Sequence, residues 1–267
     1  MSSLLTDRTY LLTQQYRNAS NLNARAQLHA RFSTNPYGWL HWLFDQLDLP
    51  PGCQVLEVGC GPGGLWLENR SRPPAGWKIV LSDLSAGMVH QARMNLRHSR
   101  HPFEFAVLDA QAIPFPGKWF DAVIANLMLY HVPNRVQALS EIWRVLKPGG
   151  RLVASTVGEA HLRELKALVS RFGPDLASES SAANPFTLEN GGAQLSPWFS
   201  GVTIRRYEDA LEVTEAAPLV EYVLSESTRM TGDQRLQFAE HVEQEMAAQG
   251  GAIHITKDSG IFEAVRR

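Results

Sequence analysis

The chain predicts a doubly wound α/β fold, on three observations. A short apolar stretch, Val55-Leu56-Glu57-Val58, runs directly into the glycine turn Gly59-Cys60-Gly61-Pro62-Gly63-Gly64 and then into the helix-like Leu65-Trp66-Leu67. From Gln54 to Val157, apolar β-branched runs alternate with amphipathic helical stretches. The first four strand candidates have a polar residue at or beside their carboxyl end, which is where such sheets bind ligands.

Composition narrows the class before any motif is weighed. The 267 residues are 44% hydrophobic and 19% charged, enough apolar material for a large core. The net charge of -2 gives no broad basic surface for nucleic acid. No apolar run approaches the length that spans a bilayer, and the first eight residues lack a signal-peptide pattern. Two cysteines, Cys53 and Cys60, cannot build a disulfide framework. The expectation is a cytoplasmic protein with no membrane segment.

Residues 1–48 read as a helical arm that precedes every strand. Leu22, Leu28 and Phe32 suit an amphipathic helix starting near Ser20 or Asn21. Asn35-Pro36 reads as an N-cap and first helical residue, followed by Trp39, Leu40, Trp42, Leu43 and Leu47 at helical spacing. Leu49-Pro50-Pro51-Gly52 ends that helix. Such an arm could pack on the surface or close over a ligand as a lid, with Tyr10, Tyr16 and Arg25 as its candidate contacts.

Strands are expected at Gln54–Val58, Lys78–Asp83, Phe103–Leu108, Ala122–Ala125 and Arg151–Val157. Ser85 can cap the helix bearing Met88, Val89, Ala92 and Leu96. Asn134 can cap the next, with Gln137 placed for a capping box and an apolar stripe reaching Leu146. Lys147-Pro148-Gly149-Gly150 should stop that helix and turn into strand five.

The strand ends bring together Glu57, Asp83, Asp109 and Asn126, with His131 five residues past Asn126. Any one of these acids could serve only to cap a turn; four polar ends on one crevice point to a site. An acid ending strand two can accept from both hydroxyls of a ribose, and Asp83 follows Gly63 by twenty residues. Pyrophosphate at the glycine turn would meet Glu57 as a like charge. S-adenosylmethionine (SAM) instead brings a cationic sulfonium and an ammonium, which suit acidic surroundings. Its carboxylate needs a donor: glycine-turn amides, with Arg25 or Arg31 of the arm as weaker choices. Cys60 reads as a small residue tolerated in the turn, not a nucleophile.

Five segments, in order, resemble motifs of the class I SAM-dependent methyltransferases. They are Val55–Gly63, Leu81-Ser82-Asp83-Leu84-Ser85, Leu108-Asp109-Ala110-Gln111-Ala112-Ile113-Pro114-Phe115, Phe120–Asn126 and Arg144–Gly150. The branch with quinone-biosynthesis C-methyltransferases and small-molecule O- and N-methyltransferases is the most similar, over roughly 50–157. This resemblance implies a Rossmann-like, seven-stranded, mostly parallel sheet whose last strand is antiparallel. It implies a methyl acceptor of small size and a cofactor held by Glu57, Gly59, Cys60, Gly61, Gly63, Asp83, Leu84, Met88, Asp109, Ala110, Asn126 and Leu127. Asn126-Leu127-Met128-Leu129-Tyr130 departs from the Asp/Asn-Pro-Pro-Tyr pattern of amino-methylating nucleic-acid enzymes. No acidic trio for a magnesium-dependent mechanism stands out, and no metal is expected.

The domain reading is an arm over 1–48 and a SAM-binding domain over 49–267, with a cap insertion at about 170–250. Leu162 to Phe172 suits a helix, Asp175–Asn184 a loop, and Phe186–Leu195 a short helix capped by Thr187. Val202–Tyr207, Ala210–Val213, Ile253–Thr256 and Gly260–Val265 suit strands; Pro218–Ser225 and Asp233–Gln249 suit helices. His131 is the candidate general base, against a packing role, and Tyr130 a candidate pocket wall. A nicotinamide oxidoreductase and a catalytically silent SAM-binding protein stay open as alternatives. Acceptor identity and oligomeric state are not legible.

Overall fold

The computed structural model describes residues 4–17, 20–173, 184–226 and 230–267. Seven strands form one sheet in the order β3-β2-β1-β4-β5-β9-β6. These are β1 (Gln54–Val58), β2 (Lys78–Asp83), β3 (Phe103–Val107), β4 (Phe120–Asn126), β5 (Leu146–Val157), β6 (Phe199–Tyr207) and β9 (Ser259–Arg266). β1 to β5 pair in parallel; β9 runs antiparallel between β5 and β6. The strand order reverses between β1 and β4, the switch point at which an open sheet leaves a crevice.

Side-chain alternation shows why these segments are strands. Leu56, Val58, Val80 and Val123 point into one buried cluster, whereas Val55, Ile79, Leu81 and Ile124 point into the other. A central strand with apolar residues at every position is stable only when both faces are covered. Here α5 (Arg135–Val145) covers the first face, and α2 (Trp39–Asp45), α3 (Gly64–Glu68) and α4 (Ala86–Leu96) cover the second. Each fully buried Leu, Ile or Val contributes about 1.5–3 kcal/mol.

A third cluster forms away from the sheet. It joins α1 (Ser20–Phe32), α6 (Arg163–Phe172), α8 (Ala216–Glu226), α9 (Gly232–Ala248) and a two-stranded ribbon of β7 (Ala210–Val213) and β8 (Ile253–Thr256). Leu28, Leu165, Leu219, Phe238 and Ile255 are its centre. The arm helix thus shares a core with segments some two hundred residues later in the chain.

Several sequence expectations shift. The helix expected from Asn35-Pro36 starts at Trp39, after Gly38 at φ 84°. Asn35 is instead spent on a turn: its Oδ1 accepts from Tyr37 N at 3.0 Å, and its Nδ2 donates to Glu208 O at 2.9 Å. Asn134 caps α5 through Gln137 N, but Gln137 does not close a capping box; the Asn134 amide donates to Gln111 Oε1 at 3.1 Å. Leu146 leaves the helix and already pairs with Phe120, and Lys147–Gly150 loops out before the ladder resumes at Arg151. Strand three ends at Val107, β4 begins at Phe120, and β6 begins at Phe199. Ala210–Val213 leaves the main sheet for β8, since its outward Glu212 faces His254 and its inward Leu211 and Val213 feed the third cluster. The expected helix over 186–195 shortens to α7 (Gly191–Leu195), because Thr187 and Asn190 cap each other's amides in a turn. The loop expected over 175–184 lies almost entirely outside the described residues.

Candidate functional site

The carboxyl ends of β1, β2 and β4 and the loop after β3 open into one continuous cavity of about 1580 Å³. Single-ligand pockets run to roughly 1,000 Å³, so this one has room for two molecules. The glycine turn forms its floor. Gly59, Gly61 and Gly63 all take positive φ, at 69°, 53° and 79°. A Cβ on Gly59 would lie 2.7 Å from Met128, whereas one on Gly61 would meet only Leu22, at 3.7 Å. Gly59 therefore permits packing, and Gly61 keeps the cavity floor bare. Gly63 starts α3 against Ala92 and Leu96 and does not face the cavity.

The turn's backbone donors are largely consumed. Cys60 N donates to Ser82 O at 2.8 Å, Gly63 N to Cys60 O at 3.0 Å, and Gly61 N to Asp83 Oδ2 at 2.9 Å. Asp83 also accepts from Ser85 N at 2.8 Å. Burial pushes its carboxyl pKa up, and these amides pull it back. Leu84, Met88, Asp109, Ala110, Asn126 and Leu127 line the same cavity. Ser85 Oγ caps α4 at Met88 N, which sets that side chain against the crevice. Asn126 Oδ1 accepts from Ser155 Oγ at 2.7 Å, and Ser155 accepts from Leu127 N at 2.8 Å. That bond holds Leu127 at φ 51°, a conformation costly for a branched residue.

Glu57 is not where the sequence suggests. It is 1% exposed and lies beneath the turn, accepting from Trp66 Nε1 at 2.5 Å. Burial raises its pKa to about 7, with Asp83 adding to the effect and the Trp66 bond opposing it. It shapes the turn from below and does not line the cavity. Cys60 lines the cavity but is 6% exposed, and burial pushes its thiol pKa well up, which removes any thiolate role.

The arm closes the top. Arg8 pairs with Asp109 at 2.8 Å, so the acid expected to meet an adenine already holds an arm cation. Tyr16 Oη lies 2.8 Å from His131 Nε2, and His131 Nδ1 lies 2.8 Å from Leu5 O. A carbonyl oxygen only accepts, so Nδ1 carries the proton and Nε2 accepts the tyrosine hydroxyl. Burial lowers the His131 pKa to about 4. The Arg25 guanidinium sits 5.9 Å from the Tyr16 ring centre, and Tyr130 packs 4.5 Å from the His131 ring. Tyr16, Arg25, Tyr130 and His131 all line the cavity. Tyr10 does not: its hydroxyl turns to Gln15 Oε1 at 3.2 Å. Arg31 points elsewhere and pairs with Glu215.

His29, His161, Tyr222, Lys257 and Ser155 were not anticipated. The cavity takes in His29, His161, Tyr222 and Lys257, and Ser155 supports its Asn126 edge. One signal was present: Leu22, Arg25, Ala26 and His29 recur at helical spacing and share the cavity-facing side of α1. Ser155 was a lone hydroxyl inside an apolar strand. Among the described residues no group of three or more His, Cys, Asp or Glu could hold a metal ion, and no helix is long and apolar enough to cross a membrane.

Residues 56–154 match the family model described as a methyltransferase domain. The chain is 36% identical over 118 residues to the ubiquinone/menaquinone biosynthesis C-methyltransferase of Hahella chejuensis, covering 43% of this chain and 47% of that one. It is 33% identical to the demethylmenaquinone methyltransferase of Symbiobacterium thermophilum over 119 residues, with the same coverage of each chain. These matches thus span about half the length of the curated relatives. Among solved structures, phosphoethanolamine N-methyltransferase 2 of Haemonchus contortus, in complex with phosphomonomethylethanolamine and S-adenosylhomocysteine, superposes with a TM-score of 0.60. It shares 19% identity and covers 98% of this chain and 60% of its own. The YcgJ protein of Bacillus subtilis gives 0.59 at 16% identity, over 85% and 97%. Residues 56–154 are thus similar to a methyltransferase domain and to part of the quinone-biosynthesis C-methyltransferases, and the sheet has the Rossmann-like fold of the solved neighbours.

Proposed function

We propose that this protein is a SAM-dependent methyltransferase that methylates an O, N or C atom of a small-molecule acceptor. The observation that carries the reading is the crevice floor: an acid, Asp83, held against a glycine turn in which the Cys60, Gly61 and Gly63 N–H groups are already engaged. A pyrophosphate needs several open backbone donors at that turn. A ribose needs a fixed acceptor for its hydroxyls, and Asp83 is one. This distinction favours SAM over a nicotinamide dinucleotide.

The residues present fit the cofactor. Gly61 leaves a bare floor, Asp83 would take the ribose hydroxyls, Leu84 and Met88 would give apolar cover to the adenine, and Asp109 with Ala110 would meet its polar edge. SAM supplies a methyl group on a cationic sulfonium, which leaves without protonation. The chain's own part is to orient the acceptor and keep water out. Arg8, Leu5 and Tyr16 tie the arm across the crevice to Asp109 and His131. A histidine held near 4 stores no proton well at neutral pH, so the Tyr16–His131 pair reads first as a latch and as an orienting hydroxyl. The free, buried cysteines suit a cytoplasmic setting.

Calorimetry with SAM and with NADH tests the reading. SAM is expected to bind and NADH not; the opposite pattern would assign the crevice to a dinucleotide.

A further inference from the structure

Beyond the crevice the cavity continues between α1 and the helices of the third cluster. Arg25 and His29 enter this lobe from α1, His161 from the turn before α6, and Tyr222 from α8. His29 packs edge-on to Tyr222 with ring centres 5.8 Å apart, and stacks on His161 at 6.4 Å. Leu162, Leu165, Val169, Val223 and Met230 make its walls. The lobe is apolar with one polar corner.

That corner is unsatisfied. Arg25 Nε and Nη2 and His29 Nδ1 are buried and have no hydrogen-bond partner among the described residues. A buried donor left unpaired costs about 1–3 kcal/mol, and more when charged, so native proteins leave few of them. Lys257 lies near but is committed to the buried Asp209. Glu226 also borders the lobe, and its carboxylate offsets part of the positive field around Arg25 and Tyr222. A planar guanidinium fork is the side chain best matched to a carboxylate or phosphate.

We propose that the methyl acceptor carries an oxyanion, a carboxylate or a phosphate, on an apolar or aromatic body, and that Arg25 and His29 bind that oxyanion. This rests on the methyl-transfer reading. Arg25 touches Tyr16, so an oxyanion held there sits against the ring that latches the arm, and acceptor and lid report on each other.

The test is calorimetry on the full chain with S-adenosylhomocysteine present, comparing benzoate and phenyl phosphate with neutral benzamide. At least one anion is expected to bind about tenfold more tightly than benzamide or better, and the anion that does so tells a carboxylate site from a phosphate site. Arg25→Met is expected to erase the preference and Arg25→Lys to keep part of it, both with unchanged affinity for S-adenosylhomocysteine. Equal binding of benzamide, absence of binding by both anions, or a preference surviving in Arg25→Met overturns the proposal. Loss of S-adenosylhomocysteine affinity in Arg25→Met also overturns it, by moving Arg25 to the cofactor's carboxylate. If the wild type fails to bind S-adenosylhomocysteine, the methyl-transfer reading falls. The anion preference, measured on the free chain, then still decides the oxyanion site.

Discussion

Tyr16 Oη donates to His131 Nε2 across 2.8 Å and 115 residues of chain, while the other nitrogen of the same ring donates to Leu5 O. One histidine therefore holds two points of the arm. Removing either member should release the same element, so the effects should not add. Tyr16→Phe and His131→Asn are each expected to lower turnover by on the order of 10²-fold, the cost of a loosened site, with the double variant no worse than the single ones. Steady-state kinetics on an accepted substrate measures this; additive losses would mean separate roles.

His131 should stay neutral far below the usual histidine range. Its folded pKa, about 4, lies below its ordinary 6.5. Between those values the unfolded chain binds a proton that the folded chain does not, so this group's contribution to stability is present above 6.5 and lost as pH falls toward 4. Histidine ring resonances followed by NMR should show no titration of His131 from pH 8 down to about 5. A midpoint near 6.5 would mean that the ring is solvated and the arm open.

Asp83→Ala should weaken SAM binding at least tenfold, since a charge-assisted hydrogen bond contributes about 1.5–3 kcal/mol. Part of the loss comes from the turn, because the carboxylate also holds Gly61 N and Ser85 N. Asp83→Asn should retain some of the affinity. Calorimetry giving wild-type affinity in Asp83→Ala would remove the ribose assignment.

Gly87 marks where the arm crosses α4. A Cβ there would overlap the Arg17 carbonyl oxygen, next to the bond from Ser85 Oγ to Tyr16 O at 2.9 Å. Gly87 is inside a helix, where alanine is intrinsically favoured by roughly 1 kcal/mol. Gly87→Ala should therefore keep or raise the melting temperature of the core while making residues 4–17 more sensitive to limited proteolysis. An arm as protected as in the wild type would show that this crossing does not hold it.

Glu57 should make stability fall as pH rises. Its folded pKa of about 7 exceeds its ordinary 4.5. The folded chain then keeps a proton that the unfolded chain has lost, so the contribution is full below 4.5 and gone above 7. Glu57→Gln, which can still accept from Trp66 Nε1, should be more stable than the wild type at pH 8 by up to roughly 3 kcal/mol, and nearly equal to it at pH 4.5. Urea unfolding at the two pH values checks the sign.

The chain's linear pattern determined the sheet and the crevice floor. Apolar runs of strand length, a glycine turn and polar strand ends are local features, and β1, β2, β8 and the caps Ser85 and Asn134 stand where those features put them. Tertiary structure decided everything that depends on which distant segments meet. Glu57 looked like a crevice acid, yet the Trp66 indole and the close-packed turn draw it inside. Ala210–Val213 had strand chemistry, but only pairing decided that its partner is β8 and not the main sheet. The latch and the acceptor lobe join Leu5, Tyr16, Arg25 and His29 to His131, His161 and Tyr222. No periodicity links residues so far apart; burial of a shared apolar core brings them together, and hydrogen-bond geometry then selects which polar atoms face each other.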